Sequence, residues 1–237
     1  MKNNHQGFIL ISFLTVLPVV LAIALATLSI IDILKKDLEL KFICRTELIS
    51  AQNENEKSIL KLLKLNRRST NLKKKKQRAQ GALALAIMRL DPIAIAASQT
   101  RLAIIHAQQI ALASEQRAII LFANQRISIR QRGLEVKIRN AIENTSKASM
   151  AYNLQSLRSS RTELAVRPTH PDIAPNYERV TNFSEEQSMD LKWQYTQILN
   201  KPFSSFLKYS GKNEHHCSVT LKKSREQWVA KIHRGKF

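Results

Sequence analysis

His215, His216 and Cys217 are adjacent, with His233 a short way downstream, and this is the chain's one grouping of metal-ligand types. A metal site needs nitrogen and sulfur donors converging on one ion. If this stretch is a strand, neighbouring side chains point to opposite faces, so His215 and His216 do not readily share an ion. Polar residues ahead of a strand account for the cluster, and no metal is expected. The carboxylates are dispersed, apart from Glu185-Glu186, which suit the first turn of a helix and its dipole. None of the five glycines sits where a phosphate loop would need it, and Gly211 lacks a partner glycine or lysine at a useful offset. No Gly-x-Ser-x-Gly elbow appears. No catalytic residue and no cofactor are expected, and the chain reads as something other than an enzyme.

Charge is the next chemistry on offer. The 237 residues carry a formal +20, unevenly placed. Residues 61–80 hold nine Lys/Arg and no acid, whereas residues 35–60 balance five bases against five acids. Arg67, Arg68, Lys73, Lys74, Lys75, Lys76 and Arg78 make up the centre of this block. Such a run is solvated, self-repelling and attractive to phosphates of lipid or nucleic acid. It has no interleaved aromatics on which bases stack, so nucleic acid is not expected as a partner. The plainer reading is a basic connector over 67–80, where the chain changes direction.

Cys44 and Cys217 are the only cysteines. Outside the cytoplasm they would join in one disulfide closing a very long loop; in the cytosol they would stay reduced. Two cysteines do not decide between these, and their spacing fits no zinc pattern.

The element that must carry all of this is at the front. Residues 1–7 form a short leader, and from Phe8 no charge appears until Asp32. As a helix, about 24 such residues span about 36 Å, enough for a bilayer. Ala24-Leu25-Ala26 offers a competing signal-peptidase site, but the apolar run continues through Leu28, Ile30, Ile31 and Ile33. Retention of 8–34 as a membrane helix is the expectation. Pro18 lies inside it, removing one backbone hydrogen bond and marking a kink or flexible point.

Beyond the span, Leu34, Leu38, Phe42 and Ile49, then Ile59, Leu60 and Leu63, recur at helical spacing, with Gln52 and Glu56 interrupting. No glycine or proline occurs between Pro18 and Gly81, so an amphipathic extension over 35–66 is expected. Residues 81–165 read as an Ala-rich helical region. Asp91-Pro92 suits a helix start, and Leu102, Ile105, Leu112, Ile119 and Phe122 follow as its packed face. Residues 126–139 fit either a hairpin turning at Gln131-Arg132-Gly133 or, preferred, a helix broken at Gly133 and resumed to about Ser160. A proline-rich connector at 167–175 leads to a tail, 166–237, of mixed α+β character. There, Ser184–Leu199 is expected as a helix with Ser184-Glu-Glu-Gln187 as its capping box. Cys217–Leu221 and Gln227–Ile232 are expected as a hairpin. The fold class is therefore mainly α: a single N-terminal membrane helix with a long amphipathic extension, a helical middle and a small α+β tail.

Gly7-Phe8-Ile-Leu-Ile-Ser12-Phe13-Leu-Thr-Val-Leu17-Pro18 resembles the opening of the TadE-like and TadG-like minor pilins of the tight-adherence (Flp) pilus. Those proteins typically read glycine, a spacer, glutamate-phenylalanine, four residues, then proline and a leucine-rich span. Phe13 and Pro18 fall at the matching offsets, and Ser12 stands where the glutamate would be. The resemblance implies cleavage by a prepilin peptidase between Gly7 and Phe8. It also implies packing with other pilin-like subunits through 8–34, and an inner-membrane protein whose C-terminal domain is periplasmic or extracellular. It covers only the first seventh of the chain.

The flanking charges point the other way. Lys2 alone precedes the span, while Lys35, Lys36, Lys41 and Arg45 follow it, and the positive-inside rule would hold that side in the cytoplasm. Two functions stay open: a pilin-like structural subunit of an envelope apparatus, or a single-pass membrane protein whose basic cytoplasmic domain binds anionic lipid, nucleic acid or an acidic protein.

Overall fold

The computed structural model describes residues 5–145, 150–160, 162–179, 189–201, 203–206, 210–224 and 227–233. The chain is mainly helical through residue 143 and mainly strand beyond it. In order it forms α1 (His5–Lys64), α2 (Asn66–Met88), α3 (Pro92–Glu143), β1 (Met150–Ser159), β2 (Val166–Pro168) and β3 (Tyr177–Arg179). Then come β4 (Met189–Leu199), a single turn α4 (Phe203–Phe206), β5 (Ser210–Ser224) and β6 (Gln227–His233). Strands β1-β4-β5-β6 make one sheet in that order, and β2-β3 make a separate pair.

α1 is 60 residues long, about 90 Å of rise. It ends at Leu65, which keeps right-handed helical angles, and α2 starts at once. Leu65 N–H donates to Leu62 O and Ser69 N–H donates to Leu65 O across the junction. The expected connector at 67–80 is therefore helix, inside α2. The physical reason is that its lysines and arginines are good helix formers and no glycine or proline interrupts them. α2 ends in a tight turn of Schellman geometry: Leu90 N–H donates to Ile87 O and Asp91 N–H to Ala86 O. Leu90 takes the left-handed position there, at φ 52°, a place that glycine usually fills. Asp91 then caps α3, its Oδ1 accepting from Ile93 N–H at 3.0 Å and Ala94 N–H at 3.1 Å. This is the start expected from Asp91-Pro92.

α3 runs unbroken through Gly133 for 52 residues, so 126–139 is helix, and the break at Gly133 does not occur. A helix interior tolerates one glycine at about 1 kcal/mol. Resumption of helix to Ser160 is also corrected: α3 stops at Glu143 and 150–159 is strand β1. A second correction concerns Ser184–Leu199. Its described part, 189–199, is strand β4, with Met189, Leu191, Trp193, Tyr195, Gln197 and Leu199 buried in strict alternation. Period two overrides the local capping signal; the capping-box residues 184–187 lie outside the described residues. The terminal hairpin forms, with β5 pairing β6 antiparallel from Ser218↔His233 to Ser224↔Gln227. The proline-rich connector is bracketed by a short hairpin, Val166↔Arg179 to Pro168↔Tyr177.

The fold divides into two compact units, each drawing on several segments. One comprises residues 1–44, 136–157 and 193–215. The other comprises residues 45–135, 158–192 and 216–237 and holds two apolar clusters. Ile59, Ala123, Leu164 and Leu221 form the first, and Leu72, Leu112, Ala113 and Ala174 the second.

Candidate functional site

In the first unit α1 does two jobs. It is the one helix among the described residues long and apolar enough to cross a membrane. From Phe13 to Leu28 every residue is exposed, with Phe13 at 69%. Pro18 lies within this stretch of α1. Gly7, Phe8 and Ser12 also fall in the helix, but Phe8 and Ser12 carry side chains outside the description.

A buried face begins at Lys36 and continues through Leu40, Cys44, Leu48, Ala51, Gln52, Asn55, Ser58, Ile59 and Leu62. The stripe expected from Leu34, Leu38 and Phe42 is on the opposite side, with all three more than half exposed. Likewise on α3, Ile105 and Leu112 are buried but Phe122 is exposed. The inner face of α3 includes Gln109 and Gln116, as their spacing with Ile105 and Leu112 expects, and continues to Gln131.

Immediately past the apolar stretch, α1 presents two carboxylates to the strands of the same unit. Asp37 is the hub. Its Oδ1 accepts from the Tyr195 hydroxyl at 3.0 Å and lies 2.6 Å from His215 Nε2, and its Oδ2 accepts from Lys41 Nζ at 3.0 Å. Asp32 Oδ2 accepts from the Tyr152 hydroxyl at 3.1 Å. Behind these bonds the rings pack in tilted pairs, Tyr152–Tyr195 at 5.8 Å, Trp193–His215 at 5.5 Å and Tyr195–His215 at 5.7 Å. Such geometry favours aromatic contacts beyond simple area burial.

Electrostatics follow from this arrangement. Burial alone would raise the Asp37 carboxyl; hydrogen bonds from His215 and Lys41, the imidazole's charge and the Tyr195 hydroxyl outweigh it and bring the pKa down to about 2. Burial, then the Asp37 charge and its hydrogen bond, push the Tyr195 phenol well above its ordinary range. Burial and Asp32 do the same for Tyr152. Both phenols therefore stay protonated donors. Both carboxylate oxygens of Asp37 are engaged, by Tyr195 and His215 from the strands and by Lys41 from its own helix, so it acts as a clamp.

His215 thus belongs to this clamp. His216 lies 3.8 Å from Asp190, in the second unit. Neither cysteine is free: Cys44 of α1 and Cys217 of β5 are disulfide-bonded. That takes Cys217 out of any metal-ligand set, and no group of three metal-ligand side chains lies together among the described residues.

The basic patch lies in the second unit, along α2. Arg68 pairs with Glu115 at 3.2 Å and Lys73 with Asp172 at 3.0 Å. No described carboxylate pairs with Arg67, Lys74, Lys75, Lys76 or Arg78. Two of the seven cations are tied down, and Lys73–Lys76, consecutive in α2, spread around the helix rather than along one face.

Sequence reasoning did not reach the Asp37 cluster. Tyr195 is 158 residues away, and only the alternation of β4 could have shown that Trp193 and Tyr195 share an inward face. No protein-family model, curated protein or solved structure matches the chain.

Proposed function

We propose that this chain is a membrane-anchored, pilin-like structural subunit, assembling through the first half of α1 with like subunits of a pilus or secretion apparatus. In this reading 8–34 lodges in the inner membrane, the remainder is periplasmic or extracellular, and the role is assembly, not catalysis. The observation that carries it is the division of α1. Its first half offers apolar side chains on all sides, and the same helix then buries one face and is clamped through Asp37. A helix built in this way transmits force or position from neighbours in the bilayer into the folded part.

The disulfide favours the outer side. Bonds of this kind persist in the periplasm and at cell surfaces and are rare in the cytosol. This bears on the topology that the flanking lysines leave contested, and it weighs against the basic cytoplasmic alternative.

Amino-terminal sequencing of the mature protein tests the proposal. Phe8 as first residue is the expected result, with a prepilin peptidase as the processing enzyme; an intact Met1 would count against it. An impermeant thiol reagent applied to intact cells after an impermeant reductant should label Cys44 and Cys217. Labelling confined to lysed cells would place them inside and overturn the proposed side.

A further inference from the structure

The tip where α2 turns into α3 has a composition that the fold itself does not use. From Ala82 to Ala97 the only charges are Arg89 and Asp91, and Asp91 is consumed in capping α3. Met88, Leu90 and Ile93 are 75%, 84% and 81% exposed, and Leu85 and Ile87 are more than half exposed. Leu90 is the telling residue. It holds a left-handed backbone conformation that disfavours leucine, yet its side chain is 84% exposed.

A cationic girdle adjoins the tip. Ala82 to Met88 covers about 9 Å of helix, and Arg78 lies about 6 Å behind Ala82, with Lys76, Lys75 and Lys74 at about 9–12 Å. On the α3 side, Ser98, Gln99 and Arg101 begin where the apolar residues stop. An apolar cap about 10 Å deep, backed over the next two to three helical turns by cations that no described carboxylate pairs with, matches the depth profile of an anionic lipid leaflet. Hydrocarbon accepts the cap, and headgroup phosphates meet the cations within about a Debye length.

We infer that the α2–α3 tip inserts into the surface of an anionic bilayer, with Leu90 as the leading side chain and Arg78 and Lys74–Lys76 as the headgroup contacts. This is a second membrane contact, separate from the α1 span, and it goes beyond the proposed subunit role. It does not depend on cleavage at Gly7.

The test uses the full chain in zwitterionic nanodiscs, with Met88→Cys carrying an environment-sensitive fluorophore; the native cysteines are disulfide-bonded and do not compete. Vesicles of pure phosphatidylcholine, or with phosphatidylglycerol added, are then supplied. The expected result is a blue shift, with quenching by brominated lipid, only in the phosphatidylglycerol arm. Leu90→Gly relieves the backbone, so folding is not at risk, and it should weaken vesicle capture about tenfold. Lys74→Gln/Lys75→Gln/Lys76→Gln should abolish the preference for phosphatidylglycerol. Equal response to both lipids, no response to either, or unchanged capture by Leu90→Gly would each overturn the inference. A blue shift that grows with protein concentration without vesicles would also overturn it, pointing to a second copy as the occupant.

Discussion

The Asp37 carboxylate receives the Tyr195 hydroxyl at 3.0 Å although 158 residues separate them in sequence. It sits 2.6 Å from His215 Nε2 at the same oxygen. A helix that leaves the apolar stretch is thereby fixed to two strands, β4 and β5, through a half-buried carboxylate beside the start of its buried face. The clamp adds charge and hydrogen bonding to the apolar packing that holds α1 to the folded part.

Stability should accordingly depend on pH at the acid end. The folded-state value of Asp37 is about 2 against an ordinary 3.8. A depressed carboxylate stabilises fully above its unfolded value, and the contribution falls away as pH drops from 3.8 towards 2. The shift corresponds to at most about 2.5 kcal/mol, and solvent at the rim of the carboxylate reduces this to about 1 kcal/mol. Asp37→Asn should lower the unfolding midpoint at pH 7 and flatten the acid limb of the stability curve. An acid limb as steep as the wild type's would refute the clamp.

Asn66 makes a two-way bond to the backbone of Tyr177, donating from Nδ2 to its carbonyl at 2.7 Å and accepting from its N–H at 2.9 Å at Oδ1. It thus acts as one residue of a third strand beside β3. Asn66→Ala should cost about 1–2 kcal/mol and should raise hydrogen exchange at Tyr177 selectively. Unaltered exchange there would mean that the pairing is not formed in solution.

Leu90→Gly should stabilise the fold. Removing a Cβ from a left-handed residue regains about 0.5–1 kcal/mol, after allowing for glycine's greater freedom in the unfolded chain. Thermal unfolding in detergent should show a higher midpoint; a fall would show that the leucine contributes packing that its exposure does not reveal.

Reduction of the Cys44–Cys217 disulfide should lower stability by about 2–4 kcal/mol. Comparison of unfolding with and without reductant reads this directly, and Cys44→Ser/Cys217→Ser should reproduce the reduced state. No change on reduction would mean that the thiols are unpaired in the isolated protein.

Several features were legible before any coordinates. Asp91-Pro92 announced α3 because a carboxylate cap and an N-terminal proline satisfy the same orphan amides. The β5–β6 hairpin was legible as well. Strand β4 was not, because Ser184-Glu-Glu-Gln187 is a strong local helix signal placed just ahead of a stretch whose alternation is the better guide. The inner face of α1 was misjudged for a different reason. Leu34, Leu38 and Phe42 outweigh Lys36, Leu40 and Cys44 in apolarity, but packing chose the second set, with Lys36 buried and paired to Glu39 at 3.2 Å. In a chain of this kind apolarity no longer distinguishes a core-facing helix surface from one turned elsewhere. The Asp37 cluster was beyond sequence reasoning because its members come together only through strand order.

The buried glutamines carry one more consequence. Gln52 donates to Val219 O, Gln116 to Pro175 O and Gln131 to Ser160 O, and Asn66 of α2 donates to Tyr177 O, so amides on all three long helices find acceptors in chain made after them. A nascent polypeptide halted before residue 160 leaves these amides to water, and they gain their protein acceptors only as residues 160–219 are added.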